Sequence, residues 1–137
     1  MKPNVLADQS IALLSKVLDM RAAKEKVIAS NIANAETPGY SPVKFSFEDQ
    51  LKNAVSNNDF SMKTTHSSHI PLAPANLESI KGKITMKKDT TGIGDLNGVS
   101  LEEEMIELSK NELLFETAAQ LLNKKLSIRK YVISGGQ

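Results

Sequence analysis

The residues of this chain best suited to chemistry are its histidines, His66 and His69, which form an H-x-x-H pair. Two imidazoles at this spacing can bind one metal ion, but protein metal sites usually have three or four ligands. In the sequence, Asp59 and Glu78 are the nearest additional candidates. The chain has no cysteine, which excludes thiolate ligands and a disulfide framework. The sequence therefore favours two loop histidines over a metal site.

The common signatures of catalysis and cofactor binding are missing from the sequence. It has no Gly-rich phosphate-binding loop, no nucleophile elbow and no Ser/His/Asp arrangement. The glutamates at 102–104 are explained by the first turn of a helix, where carboxylates interact favourably with the helix dipole. We therefore expect no enzyme activity, no cofactor and no small-molecule substrate.

Composition predicts a small helical protein. Its 137 residues amount to one domain, and 40% of them are hydrophobic while 4% are aromatic. Long helices packed side by side need fewer rings than a large globular core. The net charge of +1 gives no general attraction to nucleic acid or to an anionic membrane. No apolar run reaches the roughly 18 residues of a membrane span, and the polar residues at 8–10 argue against a signal peptide.

Apolar residues near the N-terminus recur at helical spacing and predict a first amphipathic helix over residues 6–35. Pro38 and Gly39 prevent its continuation and suit the centre of a type II turn, with glycine at the position of positive φ. The apolar face is weakest where Arg21 and Glu25 interrupt it. It is formed by Leu6, Ile11, Leu14, Leu18, Ile28, Ile32 and Ala35.

A second helix is predicted to start at Ser100 and Glu103, which form an S-x-x-E capping box, and to end near Gly135. Its apolar positions alternate by four and three residues, the heptad pattern typical of coiled coils. Glu112 and Arg129 are exceptions to the apolar pattern. The predicted seam is Leu101, Met105, Leu108, Glu112, Phe115, Ala119, Leu122, Leu126, Arg129 and Ile133.

The segment between the helices, residues 40–97, shows neither pattern and predicts a small, partly ordered insert that contains β-structure. Residues 80–86 alternate apolar and polar as a half-buried strand does, although Gly82 weakens the pattern. The Asn-Asn-Asp cluster at 57–59 predicts a turn. The start of the insert fits either a short helix or a strand and turn, built around Phe45, Phe47 and Leu51.

The two terminal helices are natural partners, because a single amphipathic helix is marginal in water. Charge favours an antiparallel pair, in which basic residues at 21–26 face the glutamates at 102–107 and Asp8 lies near the basic residues at 124–130. Each exposed ion pair contributes about 0–1 kcal/mol, so these charges select direction more than they stabilise. The same charges also fit solvated helix faces with an ordinary bias at the helix ends.

Both helices also carry apolar residues outside the seam. A pair of helices cannot cover several sides of each helix, so another surface must pack there. The insert can fold back onto these residues, or other subunits can cover them, and the shortness of the chain favours other subunits. The residues are Leu13, Ile106, Leu113, Leu114, Leu121, Ile128 and Val132.

Two motifs stand out, one at the end of the first predicted helix and one at the start of the second. Residues 30–40, Ser-Asn-Ile-Ala-Asn-Ala-Glu-Thr-Pro-Gly-Tyr, resemble the N-terminal signature of the bacterial flagellar rod and hook axial proteins, and residues 97–105 resemble the C-terminal helix motif of the same family. Ser100 and Phe115 differ from the aspartate and tyrosine that are common there. Because the segment between the motifs is short, the proximal rod proteins of the flagellar basal body are the most similar members.

The resemblance implies a mainly α fold, with a long antiparallel coiled coil of the N- and C-terminal helices and a small, partly ordered β-containing insert. Residues 1–39 and 98–137 would form one coiled-coil core domain, and residues 40–97 the insert. The implied function is a structural subunit of the proximal rod, which polymerises into a hollow periplasmic drive shaft, transmits torque and encloses the export channel. The implied route is the flagellar type III apparatus, without a cleaved signal peptide.

The implied partners are further copies of this chain, other rod proteins, the protein at the junction of the MS ring and the rod, and the export gate. Nucleic acid is not among them. The residues implied in assembly are neither catalytic nor ligands of a cofactor or metal. They are Asn31, Asn34, Thr37, Pro38, Gly39, Tyr40, Leu101, Met105, Leu108, Asn111, Phe115, Leu122 and Leu126.

Two alternatives to this assignment stay open at the level of the sequence. One is a paralogous proximal rod protein of the same family. The other is a cytosolic coiled-coil adaptor or export chaperone that binds a partner helix. Localisation separates the rod subunit from the adaptor, because a rod subunit purifies with basal bodies and an adaptor stays in the cytosol.

Overall fold

The computed structural model describes residues 5–59, 77–86 and 98–135, and within them the side chains of 9–56, 77–86 and 98–135. This part of the chain is mainly helical, with a small two-stranded antiparallel sheet. The histidine pair lies outside it, so the prediction about metal stays untested. In chain order the elements are α1 (Val5–Ala33), β1 (Val43–Ser46), α2 (Glu48–Asp59), a 3-10 turn (Leu77–Ser79), β2 (Lys83–Met86) and α3 (Leu101–Ile133).

The two long helices end where local backbone chemistry stops them. Ser100 is the N-cap of α3, and its Oγ accepts a hydrogen bond from the Glu103 N–H at 3.4 Å, as the capping box predicts. Gly135 follows the last turn of α3 with a φ of 74°, a conformation that favours glycine. α1 ends at Ala33, short of the predicted residue 35, because the Ala35 N–H bonds the Ile32 carbonyl at 3.1 Å and tightens the last turn.

α1 and α3 run antiparallel, as their charges predict. Near one end of the pair, Lys125 Nζ donates to Ser10 Oγ at 2.8 Å. Further along, Asn111 Nδ2 donates to the Arg21 carbonyl at 2.9 Å. As the residue number rises in α1 it falls in α3, which fixes the direction.

The predicted charge pairing between the two helices is formed in part. Lys24 Nζ lies 4.0 Å from Glu107 Oε2, a pair of the predicted kind. The closer acidic partner of both Arg21 and Lys24 is Glu48, at the start of α2. The sequence prediction paired only the charges of the two terminal helices, so it missed Glu48, which belongs to the insert. The side chain of Asp8 lies outside the described residues.

The face of α3 that contacts α1 is rotated from the predicted seam. Asn111 takes the place of Glu112 on this face, because its amide binds the backbone of α1. Leu101, Met105 and Leu126 were predicted on the seam but are 46%, 56% and 44% exposed. Arg129 and Ile133, at the far end of the predicted seam, are exposed as well. The buried and half-buried side chains of α3 are Glu104, Leu108, Asn111, Phe115, Ala118, Ala119 and Leu122. Apart from Ala119, which was predicted on the seam, they alternate by four and three residues.

The described part of the insert packs onto α1 through β1. β1 pairs antiparallel with β2, so that Val43 lies opposite Met86 and Ser46 opposite Lys83. Phe47 directly follows β1 and is almost completely buried, and its ring lies 6.1 Å from that of Phe45 between centroids. These rings form a small core beside α1 together with Ile28 and Ile80.

Two expectations for the insert need correction. The predicted strand at 80–86 begins at Lys83, because Gly82 has a φ of 74° and breaks the extended backbone. The turn predicted at 57–59 is wrong, because α2 continues to Asp59. The carboxylates in the first turn of α2 favour the helix. None of the described helices is both long and apolar enough to cross a membrane.

Candidate assembly site

The chain leaves α1 through the predicted turn. The Tyr40 N–H bonds the Thr37 carbonyl at 3.2 Å, and Gly39 has a φ of 76°, so the turn has the type II form. Asn34 supports the turn from the helix end, since its Oδ1 accepts from Thr37 Oγ1 at 3.3 Å. Pro38 and Gly39 are exposed. The turn therefore reverses the chain at the surface and directs it toward β1.

Asn31 connects α1 to the sheet. Its side chain is 1% exposed. Its Nδ2 donates to the Val43 carbonyl at 2.8 Å, and its Oδ1 accepts from the Val43 N–H at 3.0 Å. The same Oδ1 also accepts from the Tyr40 hydroxyl at 3.1 Å. Asn31 therefore satisfies the backbone of β1 along the edge that lies away from β2, as a neighbouring strand would.

Asn111 makes the corresponding connection between the two long helices. It too is 1% exposed. Its Nδ2 donates to the Arg21 carbonyl at 2.9 Å, and its Oδ1 accepts from Arg21 Nη1 at 3.4 Å. A buried amide that bonds one backbone position fixes the axial register of two helices more narrowly than apolar contacts can.

Glu48 joins the insert to the same stretch of α1. Its Oε1 accepts from Lys24 Nζ at 2.9 Å and from Arg21 Nη1 at 3.4 Å. Its Oε2 accepts from the Phe47 N–H at 3.0 Å. Partial burial raises the pKa of Glu48, but the hydrogen bonds from Phe47 and Lys24 outweigh this effect, so the pKa lies below its usual value. The carboxylate is therefore held in its charged form.

The guanidinium of Arg21 lies over the Phe47 ring, with Cζ 4.9 Å from the ring centroid. This cation–π contact places a charge against an apolar core without burying it entirely. Arg21 Nε is buried and has no hydrogen-bond partner among the described residues. We call Arg21, Lys24, Asn31, Glu48 and Asn111 together the polar junction. It links α1 to α3 at Arg21 and to the insert at Lys24 and Asn31.

A groove of about 220 Å³ lies between α1, β1 and the start of α3. Its apolar lining includes Val27 and Ile28, and its rim includes Lys24 and Glu107, which lie 4.0 Å apart. Across the described residues, no group of three or more His, Cys, Asp or Glu could hold a metal ion. An apolar floor with a charged rim suits contact with another protein surface.

The outer side of α3 carries the largest run of exposed apolar side chains among the described residues. Spacings of seven residues, such as Leu114, Leu121 and Ile128, place these side chains along one side of the helix. That side points away from the face that contains Asn111 and Ala118. We call this set the outer stripe, and its members are Ile106, Leu113, Leu114, Leu121, Ile128 and Val132.

The sequence-predicted assembly residues fall into different environments. Asn31 and Asn111 are buried, and Leu108, Phe115 and Leu122 are half-buried on the face of α3 that contacts α1. Asn34, Thr37, Pro38, Gly39 and Tyr40 form the end of α1 and its turn. The exposed members are Leu101, Met105 and Leu126.

Sequence reasoning missed the parts of the polar junction that come from Arg21 and Glu48. The only signal for Arg21 was its position, since it interrupts the apolar face of α1 where a buried residue was expected. No pattern indicated Glu48, because its role depends on how the insert folds back.

Comparison with known proteins identifies the family of this chain. A family model described as flagella basal body rod protein matches residues 19–40, the second half of α1 with its turn. The flagellar basal body rod protein FlgB of Bacillus subtilis (strain 168) is 30% identical over 128 residues, which cover 93% of this chain and 95% of the relative. The chain belongs to the FlgB family of flagellar basal body rod proteins.

Other members of the FlgB family match over nearly the same length. FlgB of Aeromonas hydrophila is 28% identical, over an alignment that covers 95% of this chain and 96% of the relative. FlgB of Salmonella typhimurium (strain LT2) is 25% identical, over an alignment that covers 94% of this chain and 96% of the relative. The matches with FlgB relatives therefore include both helices and the insert, while the family model centres on the segment with Arg21, Asn31 and Tyr40.

Proposed function

We propose that this chain is a structural subunit of the proximal flagellar rod. It polymerises with further copies and with other rod proteins into the hollow periplasmic shaft that transmits torque and encloses the export channel. The observation that carries the proposal is the outer stripe, an exposed apolar surface along a helix whose other face is already packed. The names of the FlgB relatives, all flagellar basal body rod proteins, support it.

In this proposal the chain has two regions, a core domain and an insert. Residues 1–39 and 98–137 form one core domain, an antiparallel coiled coil of the terminal helices, and residues 40–97 form the insert. The alternation of four and three residues on the inner face of α3 supports the coiled coil. The insert contributes a second surface, which the polar junction holds at a fixed angle to the helices.

The motif residues act in this proposal by setting geometry. Asn31 and the turn that ends at Tyr40 direct the chain from the helix pair into the insert, and Asn111 fixes the register of the pair. Leu108, Phe115 and Leu122 hold α3 against α1, which orients the outer stripe. The exposed members Leu101, Met105 and Leu126 contact neighbouring subunits.

The remaining partners follow from a place at the base of the rod. They are the protein at the junction of the MS ring and the rod, and the export gate. The flagellar type III apparatus exports the chain without cleavage of a signal peptide. Nucleic acid, cofactors and small-molecule substrates have no part in this function, and the chain is not an enzyme.

Cell fractionation tests the proposal. A tagged chain should purify with basal bodies at constant stoichiometry to the MS ring, and a strain without the chain should be non-motile and should lack rods by electron microscopy. A cytosolic adaptor or export chaperone would stay in the soluble fraction, and this result would replace the proposal. A different rod position, as for a paralogous proximal rod protein, would appear as rods that begin normally but stop short.

A further inference from the structure

The outer edge of β2, the edge away from β1, has no hydrogen-bonding partner among the described residues. In an antiparallel pair, the N–H and carbonyl of one residue point to the same side of the strand, and this side alternates along the chain. Val43 directs both groups toward Asn31 and away from β2. Its partner Met86 therefore directs both groups away from β1, and so does Ile84, two residues earlier. β2 thus presents two sets of backbone donors and acceptors to a further strand.

The open stretch of this edge lies beside exposed apolar side chains. It begins at Ile84, because Gln50 Oε1 already accepts from the Gly82 N–H at 3.2 Å just before the strand. Ile84 and Met86 are 63% and 71% exposed, and Ile84 shares a face of the sheet with the buried Phe45 that it pairs with. An open strand edge beside exposed apolar side chains can bind an extended segment of another protein.

The other face of the sheet selects the charge of such a segment. This face carries Lys44, Ser46, Lys83 and Thr85, all of them exposed. Residues 79–88 contain four lysines and no acidic residue. A second copy of this strand would bring lysine beside lysine, which opposes pairing, whereas acidic side chains opposite these lysines favour it. The partner is therefore acidic and is not another copy of β2.

We propose that the outer edge of β2 binds an extended acidic segment of a partner protein as a third, antiparallel strand of the sheet. The segment alternates apolar and acidic residues along the four residues of β2. Its apolar side chains lie beside Ile84 and Met86, and its acidic side chains lie beside Lys83. Backbone hydrogen bonds supply the affinity and the alternation supplies the specificity. This contact goes beyond the proposed function, because it does not involve the outer stripe and needs no assembled rod.

Amide exchange of the purified full-length chain tests whether the edge is open. The N–H groups of Ile84 and Met86 should exchange at least about tenfold faster than that of Val43, which the Asn31 side chain protects. Protection of Ile84 and Met86 equal to that of Val43 would mean that another part of the chain already covers the edge. That result would overturn the proposal.

The synthetic peptide Val-Glu-Val-Glu-Val-Glu, acetylated and amidated at its ends, is the probe for binding. In an NMR titration it should shift the amide signals of Ile84 and Met86, and at saturation it should slow their exchange by about fivefold or more. In the proposed strand the backbone groups of the valines face β2 and those of the glutamates face away. N-methylation of the valines should therefore abolish the effect, and N-methylation of the glutamates should preserve it. Failure of the unmodified peptide, or binding that survives methylation of the valines, would overturn the proposal.

Charge variants of the chain test the specificity. Lys83→Glu should weaken binding of the acidic peptide by about threefold, as expected for an exposed pair, and should favour the peptide Val-Lys-Val-Lys-Val-Lys instead. Lys26→Glu, at an exposed lysine of α1, makes the same change in net charge and should leave the affinity unchanged. An equal loss in both variants would mean that the peptide follows the net charge of the chain, and would overturn the proposal. Since these measurements use the purified chain, they do not depend on whether it purifies with basal bodies.

Discussion

The polar junction and the outer stripe divide the described molecule into two surfaces of opposite character. In the polar junction, charged and amide groups are buried or half-buried, and most of their hydrogen bonds are made within the chain. Along the outer stripe, large apolar side chains are exposed and no described element covers them. Both features run against the usual pattern of apolar inside and polar outside.

The difference between the two regions separates what stabilises the subunit from what is available for assembly. Buried polar groups that are hydrogen-bonded within the chain, as Asn31 and Asn111 are to the backbone, favour one arrangement of helices and insert. Exposed apolar area contributes little to the stability of the free subunit, but it becomes a source of free energy when another surface covers it. Changes in the polar junction should therefore affect folding, and changes in the outer stripe should affect association.

The largest contrast is expected between Leu108→Asp and Leu121→Asp. Leu108 is half-buried on the face toward α1, so a carboxylate there should lower the free energy of unfolding by about 3 kcal/mol or more. Leu121 is 49% exposed in the outer stripe, so the same change should alter stability by only about 0.5 kcal/mol. Urea unfolding followed by circular dichroism gives both values.

Assembly should show a different contrast between these variants. Leu121→Asp should remain folded as a monomer and yet fail to enter basal bodies, because its charge lies in the outer stripe. Normal incorporation of Leu121→Asp would mean that the stripe is not an assembly surface. A stability loss of equal size in both variants would contradict the division between the inner face of α3 and the outer stripe.

Asn31→Ala and Asn34→Ala form a second matched pair within one motif. Loss of the Asn31 amide leaves the N–H and carbonyl of Val43 without their partner, and we expect a loss of about 2–3 kcal/mol in the free energy of unfolding. Asn34 is only partly buried, and its hydrogen bonds are local to the helix end. Its replacement should cost about 1 kcal/mol or less.

Thermal unfolding measures the two asparagine variants, and amide exchange of Val43 identifies the site of the effect. Exchange at Val43 should become faster in Asn31→Ala and stay unchanged in Asn34→Ala. Equal stability of the two variants would show that the amide of Asn31 does not hold the sheet to α1.

The parts of the fold that depend on local sequence could be predicted. The ends of α3 follow from Ser100 and Gly135, whose effects act within one turn, whereas α1 ends at Ala33, two residues before the predicted end. The inner face of α3 was predicted only in part: Leu108, Phe115 and Leu122 lie on it, but Asn111 was missed because a polar residue does not fit an apolar pattern. Its amide is buried because it meets a backbone carbonyl on α1, and no periodicity in α3 contains that information.

The polar junction was harder to predict from the sequence than the inner face of α3. Arg21 interrupts an apolar face, which indicates a charged residue with a special environment but does not identify its partner. Its acidic partner, Glu48, is distant in sequence and reaches α1 only because β1 packs there. Contacts of this kind depend on the three-dimensional path of the insert. The outer stripe, in contrast, was visible in the sequence as apolar residues left over from the seam.

Two glycines with positive φ provide a third contrast, within the insert and its entry turn. At Gly39 a Cβ would meet no neighbouring atom, so Gly39→Ala should cost only the backbone strain, about 1 kcal/mol. At Gly82 a Cβ would collide with the buried Phe45 ring. Overpacking adds to the strain there, and we expect Gly82→Ala to cost about 2 kcal/mol or more.

Urea unfolding and the fluorescence of an environment-sensitive label on the insert measure the glycine variants. Both alanine variants should keep helix α3 intact, because neither glycine contacts it. If Gly39→Ala were the more damaging change, the turn would matter through a contact that the isolated subunit does not show.

The smallest expected effect concerns the charge of Glu48. The pKa of Glu48 in the folded chain lies below its ordinary value of 4.5, so the folded state binds a proton less readily than the unfolded state. The stability that results is present above pH 4.5 and is lost as the pH falls through the lower, folded pKa. Because the side chain is 44% exposed, solvent screens the pair with Lys24 and limits the effect to about 1 kcal/mol or less.

Glu48→Gln should be less stable than the wild type at pH 7, and this difference should shrink toward zero at pH 3. Asp49→Asn, a neighbouring exposed carboxylate on the same helix, is the control for general acid effects. A difference between wild type and Glu48→Gln that persists unchanged at pH 3 would mean that the carboxylate acts through its shape, and that the polar junction does not depend on its charge.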